Sequence, residues 1–448
     1  MSVPPFRRDR ALDGATSIPR RVWRGTGWLV LGRVYGSLCT VTALWVLARH
    51  LEPADFGRYT FYLAVFALLD SLADFGTGQV AVQQSARDEE RIPEVLAATR
   101  RIRFAMGAWG VLLVGGGAVV FREPGSGWIL LAALYPVTHV LELSSTIFRA
   151  RIALGVPVLM RAVASTLALS FVLALVALDD RDPAHMLCAT ALGSAIANFV
   201  LYLVARAHLP RRAAAHAPVA ELFRAALPLG VASLCQQAYF YVDNLFVRAW
   251  CGTADLGAYN IAVRVLSILI MGALYVTQAA MPWLAREHAA GRLSQAVARL
   301  GQPLFALAGL GTGLLVPWSG SILRVFGAEY EVAAGSLRWL LGATAAIHAG
   351  AVLMTALVAA GRMRSVLATA VVGLAVNVIA NLFLVPVHGI EGAAAATLLT
   401  EGVVVIAAGI ALARAGVAVA GGARAWAWLG GPVCFAIAAW ISSLAAGS

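Results

Sequence analysis

A small set of polar side chains stands inside otherwise apolar stretches of this sequence, and these are the residues with chemistry to offer. In the first half they are Arg33, Asp70, Asp74, His139, Glu142 and Arg161. In the second half they are Gln236, Gln237, Asp243, Asn244, Arg264, Asn377, Asn381, Thr397 and Glu401. An Arg or Asp at the centre of a membrane-crossing helix costs about 2.5–3.5 kcal/mol on insertion scales, so such groups face a partner or a watery cavity. Arg33 and Arg161 carry forked guanidinium donors suited to a phosphate or pyrophosphate. With Asp70, Asp74, Glu142 and Arg264 they are the candidates for a substrate cavity. Blander readings stand beside these. Arg33 pairs with Asp70 or Asp74 to lock adjacent helices, and Arg161 snorkels to the interface. Asp74, just before Phe75-Gly76, ends a helix; His139 is a satisfied core histidine; Arg264 neutralises Asp243. A second set, Asp243, Asn377, Asn381 and Thr397, offers a carboxylate, two amide oxygens and a hydroxyl, hard ligands that suit Na⁺. Asn377 and Asn381 are four apart and share a helix face. The competing reading is plain interhelical hydrogen bonding, worth ~0.6 kcal/mol per contact.

The elements that must position these groups are read from apolar length. The 448 residues are 60% hydrophobic and only 13% charged. Charged residues usually make up about a quarter of a soluble domain. The apolar residues come in runs long enough to cross ~30 Å of hydrocarbon as helices. Short alternating segments, the mark of a β-barrel, are lacking. Thirteen spans are expected, within limits of twelve to fourteen: 27–48, 58–82, 103–121, 127–148, 157–178, 184–205, 226–249, 257–282, 302–323, 335–360, 365–386, 390–412 and 425–446. The fold class is therefore an all-α polytopic integral membrane protein.

Charge sets an orientation. The net charge is +11, and all 34 basic residues are Arg. With the N-terminus in the cytoplasm, 24 Arg fall on the inner side and 7 on the outer, and Arg33, Arg161 and Arg264 fall within spans. That split follows the positive-inside rule and explains the charge without a nucleic-acid partner. Given this orientation, Arg33, Asp74, Glu142 and Arg161 lie in the inner half of the membrane. Asp243, Arg264, Asn381 and Thr397 lie in the outer half. The basic start resembles a signal peptide, but the apolar run after it is too long and lacks a small-residue cleavage site, so it reads as the first span. Five cysteines, an odd number without metal-type spacing, support neither a disulfide framework nor a zinc site. Catalytic or phosphate-cradling motifs such as HExxH or GxxxxGK[ST] are missing, loops are short, and no enzymatic activity and no resident cofactor are expected.

The chain also repeats. Ala54-Asp55-Phe56-Gly57-Arg58-Tyr59 recurs 200 residues later as Ala254-Asp255-Leu256-Gly257-Ala258-Tyr259, and Ser37-Leu38-Cys39 recurs as Ser233-Leu234-Cys235. Six spans separate the copies, so the halves share one membrane orientation, a parallel repeat with a pseudo-twofold axis along the membrane normal. In such transporters substrate sits between the halves. The hexapeptide reads as a capped turn, with Asp satisfying helix N–H groups and Gly allowing a bend. The expected organisation is a basic N-terminal segment (1–26), a first lobe (27–205), a cytoplasmic linker (206–222), a second lobe (223–413) and a further hydrophobic segment (414–448).

Three stretches carry a family resemblance: Leu47 to Gly76 around the first hexapeptide, Asp255 to Arg264 around the second, and Asn377 through Pro386 to Thr397 with its Gly389-Ile390-Glu391-Gly392 run. Together they resemble the Wzx-like polysaccharide-biosynthesis flippases of the multidrug/oligosaccharidyl-lipid/polysaccharide exporter superfamily. The resemblance implies two six-helix lobes in a V, alternating access, and flipping of a polyprenyl-pyrophosphate-linked oligosaccharide across the bacterial cytoplasmic membrane. Expected partners are the lipid-linked oligosaccharide, membrane lipids, a polysaccharide polymerase and chain-length proteins. Related flippases place a sodium site on spans 7, 11 and 12; here Asn381 stands where a carboxylate is sometimes found, and Na⁺ and H⁺ both remain open as coupling ions. The alternatives are a cation-coupled multidrug or metabolite exporter, a lipid II flippase, or a membrane enzyme or assembly partner of polysaccharide synthesis.

Overall fold

A computed structural model describes residues 17–120, 123–150, 155–208 and 219–417, and its secondary structure is entirely helical. The elements are α1 (Ser17–His50), α2 (Pro53–Asp74), α3 (Ile92–Val120), α4 (Ser126–Arg149), α5 (Gly155–Ala177), α6 (Pro183–Arg206), α7 (Val219–Trp250), α8 (Thr253–Ala289), α9 (Leu293–Arg324), α10 (Ala328–Ala359) and a 52-residue stretch, Met363–Arg414. A straight helix of that last length would run about 78 Å, more than twice the thickness of the hydrocarbon core. Gly389 breaks it, with φ 58° and ψ −138°, a conformation open to glycine. A Cβ on Gly392 would lie 2.3 Å from the Leu384 carbonyl oxygen, so the two arms pack as a tight hairpin. They are α11 (363–388) and α12 (389–414).

Nine helices among the described residues are long and apolar enough to cross a membrane, counting Met363–Arg414 once. Dividing that stretch and counting α2, bent by 42° into a Thr77–Ser85 extension, gives eleven, and α1, a 34-residue helix over the first expected span, makes the twelfth. They coincide with the first twelve expected spans. The thirteenth (425–446) lies outside the described residues, as do residues 209–218 of the expected linker. Two boundaries differ from expectation. Helix α1 starts at Ser17, so the segment 1–26 does not end where the helix begins. Helix α3 starts at Ile92, so Arg100, Arg101 and Arg103 are helical rather than loop residues. Arg is a good helix former, and apolar length marks only the part of a helix that lies in hydrocarbon.

Helices of the first half pack on one another, α1 on α5, α5 on α6 and α2 on α3. In the second half α10 packs on α8, α9 and the α11–α12 hairpin, which also covers α7. The halves join where α2 runs along α7 and α8. At the centre of this seam the two hexapeptides face each other. A Cβ on Gly57 would come 1.7 Å from the Thr253 carbonyl oxygen, and one on Gly257 would come 2.8 Å from the Pro53 carbonyl oxygen. Asn260 Nδ2 donates to Thr60 Oγ1 at 3.1 Å, again across 200 residues. The capped-turn reading of the hexapeptide is thereby corrected. Both glycines lie in the first turns of helices, and no side chain caps either helix. Asp55 pairs with Arg58 at 3.0 Å instead. The glycines are there because two backbones touch, as small residues allow in membrane helices.

Around the seam, residues of both halves form one cluster that fills the end of the bundle bearing the hexapeptides. Leu47, Phe56, Leu256, Tyr259, Tyr330 and Leu337 are all buried in it, and Phe56 packs edge-on to Tyr330 at 5.7 Å. In lipid the gain comes from close packing, since hydrocarbon is as apolar as leucine.

Candidate functional site

Behind that closed end lies a cavity of about 1080 Å³. Its blind end is formed by Leu44 and Tyr59, and its lining continues to Val82 and Arg149 near the other end of the bundle. Helices α1 to α6 build nearly all of it, with Ser233, Gln236 and Gln237 of α7 completing one wall. The cavity therefore lies inside the first half, with the second half as a boundary. This differs from the expectation of a site shared evenly between halves.

The charged groups in the cavity come in pairs. Asp70 and Asp74, four apart, share one face of α2. The 3₁₀ stretch His139–Ser144 within α4 eclipses positions three apart, so His139 and Glu142 also share a side. Asp70 Oδ1 meets His139 Nδ1 at 2.8 Å. Glu142 Oε1 accepts from Arg161 Nη2 at 3.0 Å. Arg103 donates to Asp74, which also accepts from the Gly78 N–H at 3.1 Å. Phe75 and Gly76 are left-handed, with φ of 40° and 70°, and end α2 there. Asp74 thus caps the next helix as well as facing the cavity. His139 is satisfied by Asp70, and it also lines the cavity beside Tyr135.

Arg103 and Arg161 are unlike. Arg103 is 8% exposed and wedged against Asp74, whereas the Arg161 side chain is 59% exposed. Arg161 spends one contact on Glu142, and a guanidinium has five N–H donors. Arg103 was not foreseen as a site residue, since its position at a span boundary reads as a loop. Arg149 is a further lining residue that sequence reasoning left in a loop. The Arg33 side chain lies outside the described residues.

In the second half the polar groups are sealed. Asp243 is 4% exposed. It accepts from the Tyr259 hydroxyl, from the Asn244 N–H at 2.9 Å and from Asn244 Nδ2 at 3.2 Å. Asn260 donates to Asn244 Oδ1 at 2.8 Å, which ties the group to the seam. Thr397 Oγ1 instead donates to the Ala393 carbonyl of its own helix at 3.2 Å. Asn381 Nδ2 donates to Asn377 Oδ1 at 3.1 Å, while Asn381 Oδ1 is buried without a hydrogen-bond partner. Asp243, the Asn377–Asn381 pair and Thr397 thus make separate hydrogen bonds. Arg264 does not neutralise Asp243. It lies by the Tyr59 and Tyr241 hydroxyls, with Nε buried and unpartnered. Glu401 is buried, 7% exposed, with Oε2 beside Gly350 of α10. Among the described residues no group of three or more His, Cys, Asp or Glu side chains could hold a metal ion.

The closed end also carries polar bridges between halves. Arg248 of α7 pairs with Glu123 and lies 4.1 Å over the Phe61 ring. Trp45 Nε1 and Arg49 Nη2 each donate to the Val325 carbonyl at 2.9 Å, and the Tyr330 hydroxyl donates to the Ala48 carbonyl at 3.0 Å.

Two repeated bundles, sealed together at one end and holding a polar cavity within the membrane, define a membrane transporter. Solved structures share this fold. A MATE transporter of Vibrio cholerae aligns with a TM-score of 0.63 at 14% identity, over 89% of this chain and 97% of that one. A MOP superfamily transporter from Pyrococcus furiosus gives 0.66 at 14% over 88% and 95%. The lipid II flippase MurJ, in an inward closed conformation, gives 0.65 at 11% over 92% and 98%. No curated protein matches the sequence. The chain belongs to the polysaccharide biosynthesis protein family, whose model matches residues 22–288, and the MatE model matches residues 228–383.

Proposed function

We propose that this protein is a flippase that moves a polyprenyl-pyrophosphate-linked oligosaccharide across the bacterial cytoplasmic membrane by alternating access. The observation that carries the reading is Arg161, a largely exposed cavity cation that spends one donor on Glu142, whereas Arg103 is buried against Asp74. A pyrophosphate entering the cavity competes with Glu142 for the remaining guanidinium donors, a charge-assisted and bidentate exchange. The distribution of Arg supports a cytoplasmic N-terminus and a cavity open to the cytoplasm, with the sealed hexapeptide end facing outward. Arg33 is proposed as a second phosphate contact from its place in α1. Lobes pivot about the 206–222 linker.

The orphaned Asn381 oxygen supports Na⁺ coupling in the second half, because a buried acceptor without a partner calls for a ligand or water. Asp243, engaged with Tyr259, and Thr397, engaged with the Ala393 carbonyl, would have to exchange partners to join it.

The test is outer-leaflet delivery of the lipid-linked glycan by normally expressed Arg161→Ala and Arg33→Ala variants. Loss of one phosphate contact predicts roughly tenfold to hundredfold slower delivery. Undiminished delivery overturns the pyrophosphate assignment. Three carboxylates line the same cavity, which also suits a cation-coupled exporter. Export of a cationic drug with no glycan delivery would establish that second reading instead.

A further inference from the structure

A second space adjoins the polar cavity. It is a groove of about 610 Å³ along α4, α5 and α6, lined by Trp128, Leu131, Leu134, Phe171, Leu175 and Leu192 among others. The two spaces adjoin along the same three helices, end to end on α5 and overlapping on α4 and α6. On α5 the cavity lining ends at Leu169 and the groove lining begins at Phe171. On α4 and α6 the two share Tyr135 and Ala191. The shift from polar to apolar is abrupt. Below that junction stand Thr138, His139, Glu142 and Arg161; above it, side chains are aliphatic or aromatic but for the Cys188 thiol, until Asp180 and His185 at the far end. There His185 Nδ1 meets Asp180 Oδ2 at 2.7 Å, and Trp128 packs edge-on to His185 at 4.9 Å. An indole beside polar groups marks the membrane interface. The groove therefore runs from mid-membrane to one interface, and Leu131, Leu134 and Leu192 are 41% to 52% exposed along it.

We infer that this groove seats the isoprenoid chain of the lipid carrier while the charged head group occupies the cavity below. The inference rests on the flippase reading of the cavity. A groove that continues a phosphate-binding cavity, and is walled by the same tyrosine, fits a single ligand with a charged head and a long apolar tail. In the proposed orientation the head enters from the cytoplasmic side. A polyprenyl chain too long for one leaflet then runs past the midplane into the outer half, where the groove lies. Small residues keep the groove open, among them the exposed Ala174 and the half-buried Ala195.

The experiment uses the full chain in lipid nanodiscs and a polyprenyl pyrophosphate carrying a diazirine on its tail, with cross-linked peptides mapped by mass spectrometry. Labelling within residues 128–138 and 171–195 that persists in excess phospholipid is expected. Labelling elsewhere, or its loss to phospholipid competition, overturns the inference, the latter assigning the groove to an ordinary membrane lipid. Ala174→Trp and Ala195→Trp fill the groove. Excluding about two methylenes from it predicts roughly tenfold slower flipping of the long-chain substrate. A short-chain analogue with the same head should move at the unmodified rate. Equal slowing of both, in folded variants, counts against a tail site. Failure of the head-group reading shows itself differently, as Arg161→Ala leaving both substrates untouched. Should the tryptophan variants fail to fold, the cross-link on the unaltered protein decides.

Discussion

Asp70 and Asp243 are both carboxylates on membrane-crossing helices, one in each half, and their surroundings differ. Asp70 borders the cavity with its side chain 35% exposed and a single histidine partner. Asp243 is almost wholly enclosed and accepts from a tyrosine hydroxyl and both nitrogens of Asn244. The same contrast holds for the arginines, with Arg161 open to the cavity and Arg264 enclosed beside tyrosine hydroxyls. Helix α10, the fourth crossing of the second half, is 61% buried over its most apolar window, against 33% for its counterpart α4 in the first. Duplication thus supplied two similar bundles, and divergence hollowed one and filled the other. A substrate site needs water and exchangeable partners. A coupling or structural site needs desolvation, which makes each hydrogen bond more consequential.

The largest expected effect tests the symmetry of the seam, against which this asymmetry is measured. Gly57→Leu and Gly257→Leu each push a side chain into facing backbone, and overpacking of that kind costs about 3 kcal/mol or more. Thermal unfolding in detergent should show two comparable, large losses. A tolerated leucine at one position only would mean that the reciprocal contact is not the joint between halves.

Next in size, Asp243→Ala leaves a buried tyrosine hydroxyl and an amide without their acceptor, a loss of about 1–3 kcal/mol. Asp70→Ala leaves His139 beside a wet cavity that can solvate it, so its loss should stay under about 1 kcal/mol. Equal melting temperatures for the two variants would erase the distinction between a filled half and a hollow one.

Within the hollow half, Arg103→Ala and Arg161→Ala should separate stability from transport. Removing Arg103 strips Asp74 of its buried partner and lowers the melting temperature, by about 1–3 kcal/mol at the site. Removing Arg161 should leave melting nearly unchanged and slow glycan delivery. The opposite assignment would move the functional cation from Arg161 to Arg103.

The smallest effect concerns the closed end. Arg248→Ala breaks the bridge to Glu123, and a partly exposed pair is worth up to about 1 kcal/mol. That shifts a closed-to-open ratio roughly fivefold. With Thr40→Cys as the sole cysteine, an impermeant thiol reagent added outside should label the cavity faster in the Arg248→Ala background. No change in labelling would show that the bridge does not hold this end shut.

Much of the architecture was legible in the linear sequence. Apolar length marked twelve crossings, the spread of Arg suggested an orientation, and the hexapeptide exposed the repeat. The gap between the expected spans 365–386 and 390–412 fell at the break between α11 and α12. Of the candidate site, Asp70, Asp74, Glu142 and Arg161 do line one cavity. Their partners were not legible. Arg161 bonds a residue 19 positions away, Arg103 one 29 away, and His139 one 69 away. Hydrocarbon acts on each helix separately, so the cost of burying charge or unpaired backbone leaves its trace residue by residue along the chain. Which charge meets which is fixed only when helices pack, through the crossing of α2 with α3 and α4 and the glycine contact that holds α2 on α8. That packing also decided which of two similar bundles would hold water, a choice that apolar length cannot express.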